Sequence, residues 1–287
     1  MILAIDIGSN TIKCLLGYAE NGSVIRVYEQ SLDNRILDNG GVLVGNADAM
    51  IADSIATFEM SAKKYCDKFQ VEVVATSALR DCDCREKIVA SVFEKTGRKI
   101  RILSGDEEAK LSFAGAMSDV LIDSLKRSAY FDLGGGSLEI VSGQNCVVDF
   151  SCSIAIGAVR LTRTCKDSEE YAQVSRMAIS QALANFPKCE QLVGAGGAVV
   201  ASRFMKQKLG LGGAENIISI DDMRECLKAV LALSVDERVE KFAISRNRAD
   251  IIPAAFASIT ELMEFLKMNE LTHTFCNIRY GIILSYQ

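Results

Sequence analysis

Asp132-Leu133-Gly134-Gly135-Gly136-Ser137-Leu138-Glu139 follows an apolar run, Ala129 to Phe131, and combines an acid, three glycines, a hydroxyl and a second acid. Glycines let a backbone turn tightly and approach a ligand closely. Successive amides in such a turn form a nest for an anion. An anion as charged as a phosphate chain brings a divalent cation, which takes carboxylate oxygens. Asp132 and Glu139, at the two ends of the turn, could supply them. The N-terminus repeats the pattern in Asp6-Ile7-Gly8-Ser9-Asn10-Thr11 and runs on to Gly17. Laid on residues 132–143 without a gap, Asp6 falls on Asp132, Gly8 on Gly134, Thr11 on Ser137 and Gly17 on Gly143. One copy in each half is an internal repeat, and it sets the architecture.

The elements around the turns read as alternating strands and helices. Residues 1–7, 11–19 and 23–30 are predicted strands, with Asn21-Gly22 as a hairpin turn. After a loop holding Gly40-Gly41, a long helix should present Ile51, Ile55, Phe58, Ala62, Tyr65 and Phe69 on one face. A buried strand at residues 71–75 leads to Arg80 and a helix closing at Gly97. A short strand at 100–103 leads to an acidic helix start at Asp106, Glu107 and Glu108. The second half repeats this order. Its strands run from Ala129 to about Ile154. A helix over 169–186 should bury Val174, Ala178, Ala182 and Phe186, capped by Asp167 or Ser168. A strand and glycine turn follow at Leu192 to Ala198, with helices at 222–233 and 254–268. The prediction is an α/β chain of two similar lobes, 1–123 and 124–287, whose glycine turns face each other across a central cleft.

Composition narrows the class. In 287 residues, 49% hydrophobic and 24% charged, the chain has an ordinary globular balance. No apolar run approaches the roughly 20 residues of a membrane helix. Met1-Ile2-Leu3-Ala4-Ile5-Asp6 reads as a strand and not as a signal peptide, which predicts a cytoplasmic protein away from membranes. The net charge of −5 argues against a general nucleic-acid binder. Ten cysteines are scattered, no Cys-x-x-Cys occurs, and Cys82 and Cys84 are too close for zinc spacing, so they read as small buried apolar residues.

Taken in order, these stretches resemble the exopolyphosphatase / guanosine pentaphosphate phosphatase (Ppx/GppA) family of the actin–Hsp70–sugar kinase (ribonuclease H-like) fold type. The motifs that carry the resemblance are Asp6 to Asn10, Ala75 to Arg80, Ser104-Gly105-Asp106-Glu107-Glu108-Ala109, Asp132 to Glu139 and Val193 to Gly197. Arg248-Ala249-Asp250 and Asn277-Ile278-Arg279-Tyr280-Gly281 look like late family elements. The resemblance implies a short two-domain hydrolase of phosphoanhydrides. Glu108 would be its catalytic base for water, and Arg80 its clamp on phosphoryl oxygens. Ser9, Asn10, Gly134, Gly135, Gly136 and Ser137 would bind substrate phosphates. Asp132, Glu139 and Asp6 would hold Mg²⁺ directly or through water. Inorganic polyphosphate or guanosine pentaphosphate would be the ligand, and the family suggests a homodimer. Asp106, Glu107 and Glu108 also fit simple helix capping, Glu107 best of the three.

A kinase or ATPase of the same superfamily is disfavoured by the Ser-Gly-x-Glu-Glu-Ala element, and a non-catalytic sensor of polyphosphate or an alarmone stays open. Arg160, Arg163, Lys166, Arg203, Lys206, Lys208, Arg246 and Arg248 are candidates for a basic track. Four positions depart from the family pattern: Leu138, Ala195 and Ala198 where hydroxyl residues are usual, and Tyr280 where an acid is usual. Leu138 should point away from the turn by strand alternation. The two alanines could weaken ligand binding in the second lobe.

Overall fold

Both hairpin repeats fold as the spacing predicts. In the computed structural model, which describes residues 1–9, 11–36, 42–80 and 82–286, the chain divides into two units, 1–120 with 276–287, and 121–275. Asn10 and the Gly40-Gly41 loop lie outside the described residues.

The first unit contains β1 (Ile2–Ile7), β2 (Ile12–Glu20), β3 (Ser23–Leu32), α1 (Ala47–Ala62), β4 (Gln70–Ala75), α2 (Ser77–Arg80), α3 (Arg85–Thr96), β5 (Ile100–Ile102) and α4 (Gly105–Met117). Its sheet order is β3-β2-β1-β4-β5, with β1, β4 and β5 parallel. Three parallel strands therefore end at one edge, and the turn at Gly8, helix α2 and the start of α4 all leave from there. Alternation along β1 sends Leu3, Ile5 and Ile7 into one core and Ala4 into another, so the sheet is covered on both faces. Helix α1 stops at Ala62, short of its predicted end. Tyr65 lies beyond it and stacks on Tyr28 with ring centroids 4.9 Å apart.

The second unit contains β6 (Ser128–Leu133), β7 (Leu138–Gln144), β8 (Val147–Ile154), α5 (Ala158–Thr164), α6 (Ser168–Ala182), β9 (Gln191–Ala195), α7 (Gly197–Lys208), β10 (Ile217–Ser219), α8 (Ile220–Leu231), α9 (Val235–Phe242), α10 (Arg246–Ala249), α11 (Ile252–Leu266) and β11 (Glu270–His273). The sheet order is β10-β11-β9-β6-β7-β8. The structure adds α5, β10, α9, α10 and β11 to the elements read from sequence, all of them short. Asp167 caps α6 as predicted, accepting from the amides of Glu169 and Glu170. Ala178, Ala182 and Phe186 pack against the core as predicted, alongside the buried Ser175 and Ile179, whereas Val174 is exposed. Among the described residues, no helix is long and apolar enough to cross a membrane.

The last helix corrects the predicted division at 123/124. Helix α12 (Ile278–Leu284) belongs to the first unit, where Ile278, Tyr280, Ile282 and Ile283 pack with Ala4, Leu15, Val74 and Leu103. It crosses α4 backbone to backbone. A Cβ on Gly281 would overlap the Leu111 carbonyl, and one on Gly115 would lie 2.8 Å from the Asn277 carbonyl carbon. Arg279, 3% exposed, is held between Glu29 at 2.7 Å and the Cys14 carbonyl at 2.9 Å. Tyr280 packs in this core, and burial pushes its phenol up to about 12.

Candidate active site

Each unit carries half of the candidate chemistry. In the first, β4 and β5 deliver two side chains to the same sheet edge. Ala75 ends β4, and its carbonyl accepts from the Leu103 amide at 2.9 Å, which ties the chain after β5 to the chain before α2. Arg80 ends α2 and Glu108 lies in the first turn of α4. Arg80 Nη1 donates to Glu108 Oε2 at 2.8 Å and to the Leu103 carbonyl at 3.1 Å. Both side chains keep solvent access, at 30% and 23% exposure. Ser104 caps α4 and forms a capping box with Glu107, so Glu107 serves the helix as expected while Glu108 points to Arg80. Backbone and hydroxyl bonds from Ser104 hold the Glu107 carboxyl below its ordinary range.

The two glycine turns share their geometry. The Gly8 amide donates to the Thr11 carbonyl at 3.1 Å, and the Gly134 amide to the Ser137 carbonyl at 2.9 Å. Both repeats carry a bulge at the equivalent place, between Leu16 and Gly17 and between Ser142 and Gly143. Neither Gly8, Gly134 nor Gly136 adopts a left-handed φ, so the glycines serve closeness and not handedness. At Gly8 a Cβ would stand 3.0 Å from the Thr11 carbonyl oxygen. The Ser9 carbonyl accepts from Ile36 at 3.0 Å.

In the second unit the carbonyls of the turn are tied down from behind. The Ala158 and Arg160 amides donate to the carbonyls of Gly134 and Gly135 at 3.0 and 3.1 Å, and Arg160 Nε donates to the Gly136 carbonyl at 3.0 Å. In a trans peptide the N–H points opposite to its C=O. The amides of Gly135, Gly136 and Ser137 therefore point away from α5, as an anion nest requires. Gly157 lets α5 approach this closely, because a Cβ there would run into the backbone of Gly135 and Gly136. Gly157→Ala should force the helix off the turn at a cost of about 1–3 kcal/mol, as in other overpacked sites. Thermal unfolding with phosphate titration would show both the lower Tm and weaker anion binding.

Asp132 and Glu139 stand directly opposite in the β6–β7 register. Ser137 and Ser153 hydroxyls both donate to Glu139 Oε1, the second at 3.1 Å. The Ser137 hydroxyl is thus committed to Glu139, and its amide is the group left to the turn's open side. Asp132 lies over Gly196, whose φ of +89° suits glycine and whose missing Cβ leaves room for the carboxylate. In the first unit Asp6 faces Lys13 in the same register position, so that turn pairs an acid with a base where the second pairs two acids.

Residues outside the predicted set also reach the turns. Arg248 lies against Gly197 at the start of α7, where a Cβ would stand 2.6 Å from its guanidinium carbon. The sequence offered Arg248 as one of eight basic residues and within the late element Arg248-Ala249-Asp250, without placing it at the Gly196-Gly197 turn. The track itself contracts. Lys206 is buried, paired with Asp222 at 2.9 Å, and Arg203 bonds Glu215 and lies over Phe275. Arg246 pairs with Asp236 at 2.8 Å. Leu138 turns into the core as expected, and Ala195 and Ala198 are buried as well. A threonine in place of either alanine would need a buried partner for its hydroxyl.

Comparison with known proteins bears on the family and the fold. Residues 29–287 match the model of the Ppx/GppA phosphatase family. Exopolyphosphatase 2 of Mycobacterium tuberculosis is 27% identical over 314 residues, spanning 99% of this chain and 98% of that protein. The bifunctional 3-dehydroquinate synthase/phosphatase of Fusobacterium nucleatum is 31% identical over 169 residues, which is 55% of this chain and 25% of that protein. The chain thus spans only about a quarter of that bifunctional relative. Among solved structures, the Aquifex aeolicus member of the Ppx/GppA family superimposes with a TM-score of 0.84 at 19% identity, over 99% of this chain and 96% of the other. An exopolyphosphatase from Cytophaga hutchinsonii gives 0.85 at 20% identity, over 99% and 97%. The two α/β units therefore have the actin-like fold. By sequence and by fold, the chain belongs to the Ppx/GppA phosphatase family.

Proposed function

We propose that this chain is an Mg²⁺-dependent exopolyphosphatase, hydrolysing the terminal phosphoanhydride of inorganic polyphosphate to release orthophosphate. The observation that carries the reading is the 2.8 Å pair of Arg80 and Glu108, a phosphate-binding cation beside a carboxylate able to take a proton from water. The relative from M. tuberculosis matched over nearly its whole length supports the substrate class.

In this reading the first unit supplies the groups that activate water and clamp the phosphoryl group, and the second supplies an anion nest. Glu108 orients a water and accepts its proton as the oxygen attacks the terminal phosphorus. Arg80 turns from Glu108 to the oxygens of that phosphoryl group, whose charge spreads in the transition state. The amides of Gly135, Gly136 and Ser137 form the phosphate nest of the second turn, and Ser9 and Asn10 are the proposed phosphate donors of the first. The bridging P–O bond breaks, the shortened chain leaves, and the proton on Glu108 returns to solvent.

Asp132 and Glu139 suit Mg²⁺, which uses one or two carboxylates and completes its shell with water and substrate oxygens. Among the described residues no group of three or more His, Cys, Asp or Glu could hold a metal, so a fully caged ion is not what this donor set offers. When bound, the ion neutralises phosphate charge. Asp6 is the equivalent acid of the first turn and the proposed metal residue of that unit.

Arg80→Lys should cut kcat/KM by roughly 10- to 100-fold, the worth of one charge-assisted hydrogen bond, because an ammonium lacks the planar fork. Steady-state kinetics would check it. Substrate choice is tested by comparing kcat/KM for long-chain polyphosphate and guanosine pentaphosphate. At least tenfold preference for polyphosphate is expected. The reverse preference would make the chain a 5′-phosphohydrolase of the nucleotide, and binding without turnover of either would make it a sensor.

A further inference from the structure

Two cysteines next to the candidate active site do not behave as buried apolar residues. Cys14, Cys165, Cys189 and Cys226 are buried, as the sequence suggested, but Cys84 is exposed and Cys82 half-buried. Their sulfurs lie 2.9 Å apart, in the segment between α2 and α3. Cys82 is two residues beyond Arg80.

We propose that Cys82 and Cys84 form a dithiol–disulfide couple that exchanges with low-molecular-weight disulfides and, once oxidised, displaces Arg80. One sulfur, as thiolate, attacks the external disulfide and expels one small thiolate, leaving a mixed disulfide. The second thiol loses its proton to solvent, and its sulfur attacks the first, expelling the second small thiolate. The protein loses two hydrogens and two electrons, and the external disulfide becomes two thiols. The hydrogen bond to Cys82 pushes the Cys84 thiol up. Exchange needs one sulfur to attack and the other close enough to resolve the mixed disulfide, which their 2.9 Å separation provides.

The couple is wired to Arg80 through the backbone. The sulfurs must close from 2.9 Å to about 2.05 Å, and a ring spanning a single intervening residue couples that closure to the backbone of residues 82–84. That segment is bonded on both sides. The Cys82 amide donates to the Leu79 carbonyl at 3.2 Å, and its carbonyl accepts from Arg85 at 3.3 Å. The Cys84 carbonyl accepts the first helical bond of α3, from Ile88 at 3.1 Å. Arg85 Nη1 then donates to the Arg80 carbonyl at 2.9 Å. Bending at the cysteines therefore acts on the residue that holds Glu108. Only the consequence for turnover rests on the phosphatase reading; the exchange itself does not.

The test treats the full chain with bis(2-hydroxyethyl) disulfide, then alkylates and maps the peptides by mass. The expected product has lost two hydrogens, with Cys82 and Cys84 protected from alkylation and restored by dithiothreitol. Cys82→Ser should instead stop at one mixed disulfide on Cys84. Hydrogen exchange over residues 77–88 should rise in the oxidised protein, and KM for polyphosphate should rise at least fivefold. Cys84→Ser should keep basal turnover and lose the response. Two thiols that still alkylate fully would overturn the proposal. So would a disulfide that changes neither hydrogen exchange at 77–88 nor KM. If neither redox state hydrolyses polyphosphate, the function reading fails, while mass and hydrogen exchange still decide this one.

Discussion

Glu108→Gln is expected to lower kcat for orthophosphate release by roughly 10²- to 10⁴-fold, the usual contribution of a positioned general base, while polyphosphate binding stays within about twofold. The amide is nearly isosteric and can still accept a hydrogen bond from Arg80, so the geometry around the 2.8 Å contact survives. What disappears is the ability to take a proton from water. Single-turnover kinetics beside equilibrium binding separates the two quantities. If binding falls with kcat, Glu108 is a structural partner of Arg80 and not the base. If neither changes, the water is activated elsewhere.

Gly281→Val should be the most destabilising of the substitutions considered for the fold. Helix α12 reaches α4 with no side chain between them: a Cβ at position 281 would lie 2.6 Å from the Leu111 carbonyl carbon and 2.9 Å from its Cα. Backbone cannot step aside as a side chain can, so the helices must separate. The expected loss is about 3 kcal/mol, the upper part of the range for overpacking. In a chain of this size that lowers Tm by roughly 6–12 °C. Orthophosphate release should fall too, because α4 carries Glu108. Gly105→Ala is the control on the same helix. Nothing lies within 4 Å of its added methyl, so Tm should hold or rise slightly. A normal Tm for Gly281→Val would show that the α4–α12 crossing is looser than described.

The repeat made the core of this architecture legible. Matching Asp6 to Asp132 and Gly17 to Gly143 anticipated two hairpins that agree down to the turn hydrogen bond and the bulge. Strand alternation placed Leu138 in the core, and the capping role of Glu107 followed from the preference of acids for a helix N-terminus. What escaped depends on contacts distant in sequence. The return of α12 to the first unit is set by Ile278, Ile282 and Ile283 meeting β1, β2 and β4, which a repeat boundary cannot reveal. The nest behind Gly134 to Gly136 needed Gly157 and Arg160, whose roles arise only when α5 docks on the turn. Lys206 read as a surface charge because its partner, Asp222, lies on another helix.

The most direct test of the central claim is orthophosphate release from long-chain polyphosphate by the unmodified chain, in Mg²⁺ and in EDTA. The account predicts steady release in Mg²⁺, progressive shortening of the polymer from its ends, and loss of activity in EDTA that added Mg²⁺ restores. Release that EDTA leaves untouched would contradict the role given to Asp132 and Glu139. No release in Mg²⁺ from a folded protein would contradict the exopolyphosphatase reading itself.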